Sequence, residues 1–305
     1  MDIKYLELGL IGLSSTLDSE DPIGTARGWF SGHWPCAIIA AYYFCRDNPI
    51  EKGVDELISK QADQVISKYS NLFSVQNAEK NINGENKTYE DILEVLKDSL
   101  SRYMNSGHNV IFGTYALKVI SENKDLASPS ILNGIFKLID YFKYKPGGVD
   151  PVKFFTNENN SVLKYNDDQC LIKYIFSSLE HGQRLEEHNR ILFDGHAMTH
   201  GHALTLLTNL GHGSITKLGY DAHRVHLAEN RKVQLKNLVN KELTKNISFD
   251  HPFTKAFWER DFQQYDRQWE YGHTFKYLFT FYDLVNQIKE LKNKRILEQQ
   301  LAYLI

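Results

Sequence analysis

Histidine is the residue whose distribution stands out in this sequence. Four times a Gly–His pair runs into an apolar stretch with helical spacing: "GHWPCAIIAAYYF", "GHNVIFGTYALKVI", "GHAMTHGHALTLL" and "GHTFKYLFTFYDL". The histidines are His33, His108, His196 and His273, at intervals of 75, 88 and 77 residues. Neutral imidazole binds iron, zinc, copper and nickel. Four helices packed around a common axis would bring these imidazoles together, so the repetition predicts a metal site.

The third segment carries two further histidines. His196 and His200 share a helix face one turn apart, which is the spacing of a two-ligand metal site. The repetition instead favours His196 as the ligand, with His200 and His202 as neighbours. No H-E-x-x-H motif is present, which argues against a metalloprotease. His223 and His226, in "YDAHRVHL", are interpreted as surface residues or as neighbours of the site.

Lys276 follows His273 by one turn and lies on the same helix face. A free ammonium has no lone pair to give a metal. A carbamate formed from lysine and CO2 would be an anionic oxygen ligand, similar to the carboxylates of iron oxygenase sites. The spacing leaves this reading open beside that of an ordinary lysine on an amphipathic helix.

Aromatic residues accompany the first two histidines. Trp29, Trp34 and Tyr115 lie near them in sequence. Such residues either belong to the core or form a flat pocket that stacks an aromatic substrate, because small-molecule sites are mostly apolar with few polar groups. His200 is added to this candidate substrate pocket.

Helical periodicity dominates the rest of the chain. The segment 54–73 repeats apolar residues along one stripe. Thr88 before "YEDILEVLKDSL" and Ser128 before Pro129 are typical N-caps, with proline at the first helical position. Period-2 alternation is nearly absent. The sequence therefore predicts an all-α fold, in which the His-bearing helices converge on a central pocket.

The predicted loops are 81–87, 145–151 and 155–168. The last is rich in Asn and acidic residues, which is typical of a mobile insertion or a boundary. At this length we expect one large helical domain covering 1–305.

Composition excludes several classes of protein. The formal net charge is −3, whereas a nucleic-acid or membrane-surface binder needs a basic excess. Three scattered cysteines predict neither a disulfide framework nor a cysteine zinc site. The first residues do not resemble a signal peptide, and no apolar run is long enough to span a membrane. We expect a cytoplasmic protein; its oligomeric state is left open.

The His segments resemble those of a known family. In their order, "GHNVIFGTYALKVI", "GHAMTHGHAL" and "GHTFKY" are similar to the recurring segments of the questin oxidase-like family, and "GHWPCAIIAAYYF" is similar to its opening histidine helix. The resemblance spans about 30–285. The family includes enzymes that open anthraquinone-type rings, described as Baeyer–Villiger oxygenases or as non-heme iron dioxygenases.

The resemblance implies an iron site, with Fe(II) or another first-row metal held by four histidines and a carboxylated lysine. Carried over by motif, these ligands are His33, His108, His196, His273 and Lys276. His196 and Lys276 are then the residues on which catalysis depends.

One ligand remains ambiguous. "GHGSITKLGY" resembles a fungal family segment, so His212 is an alternative to His108 as the second ligand. Even spacing favours His108.

The expected function is a dioxygen-dependent oxygenase that acts on an aromatic or polyketide-like small molecule. Two alternatives stay open. One is a metal-free oxygenase of the same family, in which histidine deprotonates a phenolic substrate. The other is a helical protein that binds a ligand without chemistry. No phosphate loop, nucleotide-binding glycine motif or nucleophile triad is present.

Overall fold

Helices make up the regular secondary structure. The computed structural model describes residues 1–19, 28–82, 85–144, 148–157, 163–181, 195–236, 250–259, 272–291, 293–302 and 304–305. The α-helices found there are α1 (Lys4–Ser14), α2 (His33–Asp47), α3 (Val54–Lys68), α4 (Val75–Glu79), α5 (Tyr89–Leu100), α6 (His108–Glu122), α7 (Pro129–Lys143), α8 (Pro151–Asn157), α9 (Asp168–His181), α10 (His196–Asn209), α11 (Gly213–Lys236), α12 (Lys255–Glu259), α13 (His273–Gln287) and α14 (Lys294–Leu301). Within these ranges the only β-type pairing is one isolated bridge, between Tyr103 and Val149. The all-α prediction is confirmed.

Helices α2, α6, α10 and α13, which carry the Gly–His segments, occupy the middle of the fold. They pack in a closed ring, in which α2 contacts α13, α13 contacts α10, α10 contacts α6 and α6 contacts α2. Most residues of these four helices are buried, whereas α5 and α7 bury one apolar face. A helix that is buried all round belongs in the interior. The predicted convergence of the His-bearing helices is confirmed.

The remaining large helices surround this ring. Helix α1 packs on α2 and α7, α5 packs on α6 and α7, and α11 packs on α10. Among the described residues, no helix has a stretch both long and apolar enough to cross a lipid bilayer.

Two helix starts predicted from their capping residues are confirmed. Thr88 and Asp91 form a reciprocal capping box at the start of α5. Ser128 accepts a hydrogen bond from the amide of Ile131, and Pro129 occupies the first position of α7. A cap of this kind stabilises a helix by about 1 kcal/mol.

The predicted loops at 145–151 and 155–168 are interrupted by α8 (Pro151–Asn157). The Asp150 carboxylate accepts a hydrogen bond from the amide of Val152 at 2.9 Å. Asp followed by proline is typical of the start of a helix, whereas the Asn-rich composition downstream is typical of a loop.

Arg224 of α11 anchors both sides of residues 158–162, which lie outside the described part of the chain. Its guanidinium lies 4.2 Å from the centroid of the Phe155 ring, and its Nε donates to the carbonyl oxygen of Leu163 at 3.0 Å. The mobile insertion and the single domain over 1–305 stay predictions.

Candidate metal centre

Each of the four recurring histidines is the first residue of its helix. Helices α2, α6, α10 and α13 begin at His33, His108, His196 and His273. Because Cα–Cβ bonds tilt toward the helix N-terminus, all four imidazoles project from the N-terminal ends. Going round the ring of helices, the ring centroids are 4.4, 5.0, 4.8 and 5.5 Å apart. We refer to these four rings as the central imidazoles; none is more than 5% exposed.

Three of the central imidazoles lie close enough to share one ion. His33, His108 and His196 each offer a ring nitrogen, and these atoms lie within 4.8 Å of one another. His273 lies beside this group, with its ring centroid 4.8 Å from that of His196 and 5.5 Å from that of His33.

Backbone carbonyls fix the tautomers of the first two histidines. His33 Nδ1 lies 2.7 Å from the carbonyl oxygen of Phe30, and His108 Nδ1 is hydrogen-bonded to the carbonyl oxygen of Asn105. A carbonyl only accepts, so each Nδ1 carries the proton and donates it. The lone pair of each ring is therefore on Nε2. Histidines that bind a metal through one ring nitrogen commonly donate the N–H of the other to a carbonyl or a carboxylate, which fixes the orientation of the ring.

The two lone pairs face each other, because Nε2 of His33 and Nε2 of His108 are 2.8 Å apart. Two such atoms repel unless a cation lies between them. A shared proton is disfavoured, because burial, together with nearby cationic groups, holds the pKa of both rings well below the usual range. The donor set therefore fits a metal cation.

Tyr277 supports the other two central imidazoles. Its ring stacks on that of His273, with centroids 5.1 Å apart and planes 7° apart. Its hydroxyl lies 3.5 Å from His196 Nδ1. The tyrosine also fills the space beside Gly195, where an added Cβ would lie 2.3 Å from its ring.

The glycines before two of the histidines allow close approaches. Gly107 has φ +80°, and a Cβ there would lie 2.4 Å from the ring of His200. Gly272 has φ +65°, and a Cβ there would lie 2.3 Å from Cβ of Ala37. Both positions combine a left-handed backbone with lack of space, so glycine is required.

Lys276 is buried beside the central imidazoles. It is 3% exposed and interacts electrostatically with His33, His108 and His273. Burial lowers the pKa of Lys276 to about 7, opposed only by Cys36. No acidic side chain of the described residues forms an ion pair with it. A large fraction of this amine is therefore neutral near pH 7, and the neutral amine is the form that reacts with CO2.

Three more buried histidines adjoin the central imidazoles. Nδ1 of His200 and Nδ1 of His226 are 3.3 Å apart, and the ring of His223 lies 5.2 Å from that of His200. His223 Nδ1 accepts from the Tyr165 hydroxyl at 3.0 Å, and its Nε2 donates to the carbonyl oxygen of Ala197 at 2.9 Å. The surface interpretation of His223 and His226 is wrong, since they are 0% and 1% exposed.

The alternative ligand lies elsewhere. Nε2 of His212 is 2.8 Å from the hydroxyl of Tyr89, and His212 is not among the central imidazoles. The structure brings His108, and not His212, to the centre.

The candidate pocket residues are dispersed. The Trp29 ring lies 5.0 Å from that of His108. Trp34 packs instead on Tyr69, with ring centroids 4.2 Å apart. Tyr115 lies two turns along α6 from His108, and its hydroxyl is hydrogen-bonded to Thr280 Oγ1 on α13. Trp29 also lies against the ring of His33, so it contacts two central imidazoles. Whether these residues hold a substrate stays a prediction.

Sequence reasoning missed the groups that orient the histidines. The carbonyls of Phe30 and Asn105 each lie three residues before a histidine, and no side chain marks them. Tyr277 could have been found, because it follows His273 by one turn, as Lys276 does.

Comparison of the chain with protein-family models, with curated proteins and with solved structures finds no match. The resemblance to the questin oxidase-like family therefore rests on the His segments of the sequence alone.

Proposed function

We propose that this chain is a non-heme iron-dependent oxygenase that acts on an aromatic or polyketide-like small molecule, with dioxygen as co-substrate. One observation carries the proposal: two proton-free Nε2 atoms, of His33 and His108, face each other at 2.8 Å within a buried set of four imidazoles. Burying two nitrogen lone pairs that face each other is costly, so a stable core has no need of this arrangement. The family resemblance supplies the oxygenase chemistry.

Imidazole suits iron as well as zinc, copper and nickel, so the four histidines alone do not select the metal. The choice of iron follows from the resemblance to the questin oxidase-like family, and the metal content of the protein tests it.

When bound, iron supplies the one-electron steps that dioxygen needs in order to react with a closed-shell organic molecule. The chain holds the ion through His33, His108, His196 and His273. The buried helix ends exclude water from the reacting groups, and Trp29 offers an aromatic face beside His108 for orienting a ring.

Lys276 supports the proposal as a carbamate. Its neutral amine nitrogen attacks the carbon of CO2, and the product is a carbamate anion and one released proton. Near a pKa of about 7, enough neutral amine is present for this reaction at physiological pH. The carbamate would then contribute the one anionic oxygen ligand to a set that otherwise consists of neutral rings, and its charge favours the higher oxidation state of the metal.

A carbamate on Lys276 is detectable through its carbon atom by 13C NMR. Protein loaded with diamagnetic zinc and supplied with 13C-bicarbonate is expected to give a carbamate resonance in the 13C NMR spectrum. Lys276→Met is expected to lack it, and Lys118→Met, at a surface ion pair with Glu122, is expected to keep it. Equal spectra for wild type and Lys276→Met would remove the carbamate from the proposal.

The function is tested on protein reconstituted with Fe(II) without oxygen. We expect close to one iron per chain by elemental analysis. We also expect a high-spin iron–nitrosyl EPR signal on adding nitric oxide, which reports an open position for dioxygen. With a hydroxyanthraquinone as probe, the iron-loaded protein is expected to consume dioxygen, and the zinc-loaded protein is expected not to.

Other outcomes point to the alternatives. Dioxygen uptake that persists without metal would replace iron by histidine acting as a base. Failure to bind any first-row metal, together with no uptake, would leave a ligand-binding protein without chemistry.

A further inference from the structure

A buried chain of hydrogen bonds links three of the four histidine helices. His202 Nε2, on α10, lies 2.8 Å from Asp283 Oδ2, on α13. His202 Nδ1 lies 3.1 Å from Thr280 Oγ1, also on α13. Thr280 Oγ1 lies 3.3 Å from the hydroxyl of Tyr115, on α6. We refer to these four residues as the His202 network.

Asp283 and Thr280 flank the His202 ring. Burial acts to raise the pKa of Asp283, but hydrogen bonds from His202 and Gln287 hold it below its usual range. Asp283 is therefore an ionised acceptor, and His202 donates to it from Nε2. Thr280 Oγ1 is hydrogen-bonded both to His202 Nδ1 and to the Tyr115 hydroxyl, so it is the central link of the network.

The network lies at a constant depth below the central imidazoles. Tyr115 follows His108 by seven residues, and His202 follows His196 by six. Thr280 follows His273 by seven residues. At 1.5 Å per residue, these steps place the network about 10 Å along the helices from the histidines.

Burial makes the network strong and exacting. His202 and Thr280 are 0% exposed and Tyr115 is 1% exposed, whereas the Asp283 side chain, at the end of the chain of bonds, is 23% exposed. In surroundings of low dielectric constant a hydrogen bond is stronger than in water, and a broken one leaves costly unpaired groups. Hydrogen bonds are directional, so they allow less sliding of one helix along another than apolar contacts do. Together with the contact between Tyr277 and His196, the network therefore constrains the axial register of α6, α10 and α13.

We propose that His202, Asp283, Thr280 and Tyr115 are positioning residues, which hold the central imidazoles of α6, α10 and α13 in register for binding a metal. The inference rests on the metal centre proposed above. A ligand set needs its donors placed to within about 0.5 Å, and a shift of one helix moves its histidine by the same amount. His33, on α2, is outside the network and depends on the Phe30 carbonyl instead.

The test is Thr280→Val, which removes the central hydroxyl at nearly constant volume. Thr205→Val is the matched control: Thr205 is also 0% exposed, and its hydroxyl donates only within α10, to the carbonyl oxygen of His202 at 2.9 Å. We expect Thr280→Val to weaken Co(II) affinity by about 10- to 100-fold, as loss of supporting residues does. Thr205→Val is expected to stay within about twofold of wild type.

Further readouts separate positioning from stability. The visible spectrum of bound Co(II), which reports ligand geometry, is expected to change in Thr280→Val. Thr280→Ser, which restores the hydroxyl, is expected to recover both spectrum and affinity. If both valine variants lose similar stability and neither changes Co(II) affinity, the network has only a structural role and the inference is wrong.

A measurement on metal-free protein tests the positioning role even if the proposed metal site is wrong. If the wild type binds no Co(II) or iron, 15N-histidine NMR of the metal-free protein decides. Shifted ring signals of His108, His196 and His273 in Thr280→Val, with unshifted ones in Thr205→Val, support the inference. Unshifted signals in both variants would overturn it.

Discussion

Replacing His108 by alanine is expected to lower iron affinity by more than about 100-fold, the upper end of what loss of a supporting residue costs. The substitution removes one of the two facing Nε2 atoms at the centre. His212→Ala is the matched control, because it removes a histidine that is bonded to Tyr89 outside the central imidazoles. It is expected to bind iron as the wild type does. The measurement is iron content after anaerobic loading, followed by titration with a competing chelator.

His108 is 4% exposed, so alanine also leaves a cavity. His108→Gln, which fills more of that space, is compared with it, and circular dichroism confirms that each variant is folded. Loss of iron in His212→Ala with retention in both His108 variants would transfer the second ligand position to His212.

The second large effect concerns stability and pH. Burial depresses the pKa of Lys276 from its ordinary value of 10.5 to about 7. Between these values the unfolded chain binds more protons than the folded one, so the stability of metal-free protein rises with pH across this window. The rise amounts to roughly 2 kcal/mol between pH 7 and pH 9. Below pH 7 both states are protonated, and this contribution becomes constant.

Lys276→Met removes the titration and keeps an unbranched chain of similar length. We expect the variant to be more stable than wild type near pH 7, and the difference to shrink by roughly 2 kcal/mol at pH 9. Urea unfolding of both metal-free proteins at several pH values measures this difference, and other titrating groups cancel in the comparison. A difference that does not vary with pH would mean that Lys276 keeps an ordinary pKa.

Local sequence signals predicted much of the fold and the centre of the site. The Gly–His pairs mark four helix starts, and two of their glycines, Gly107 and Gly272, have positive φ. Thr88 and Ser128 mark two more. A glycine or a capping residue affects the backbone within one turn of its own position, so a helix start of this kind can be predicted from a single sequence.

Contacts between distant helices were beyond such signals. His200 meets His226 because α10 crosses α11, and His202 meets Asp283 across 81 residues. The periodicity of one helix gives its buried face but not the neighbour that will lie against that face. His202 was thus predicted as a neighbour of the site, and its role as a link between helices became visible only from the packing.

The wide separation of the central histidines along the chain has a consequence for biosynthesis. His33 precedes His273 and Lys276 by more than 200 residues. During translation the earlier segments leave the ribosome first and begin to fold while the later ones are still absent. The ring of helices stays open until α13 arrives, and contacts between such distant segments form slowly. The proposed metal would therefore meet its complete ligand set only after α13 has been made, and its binding would then stabilise the folded state.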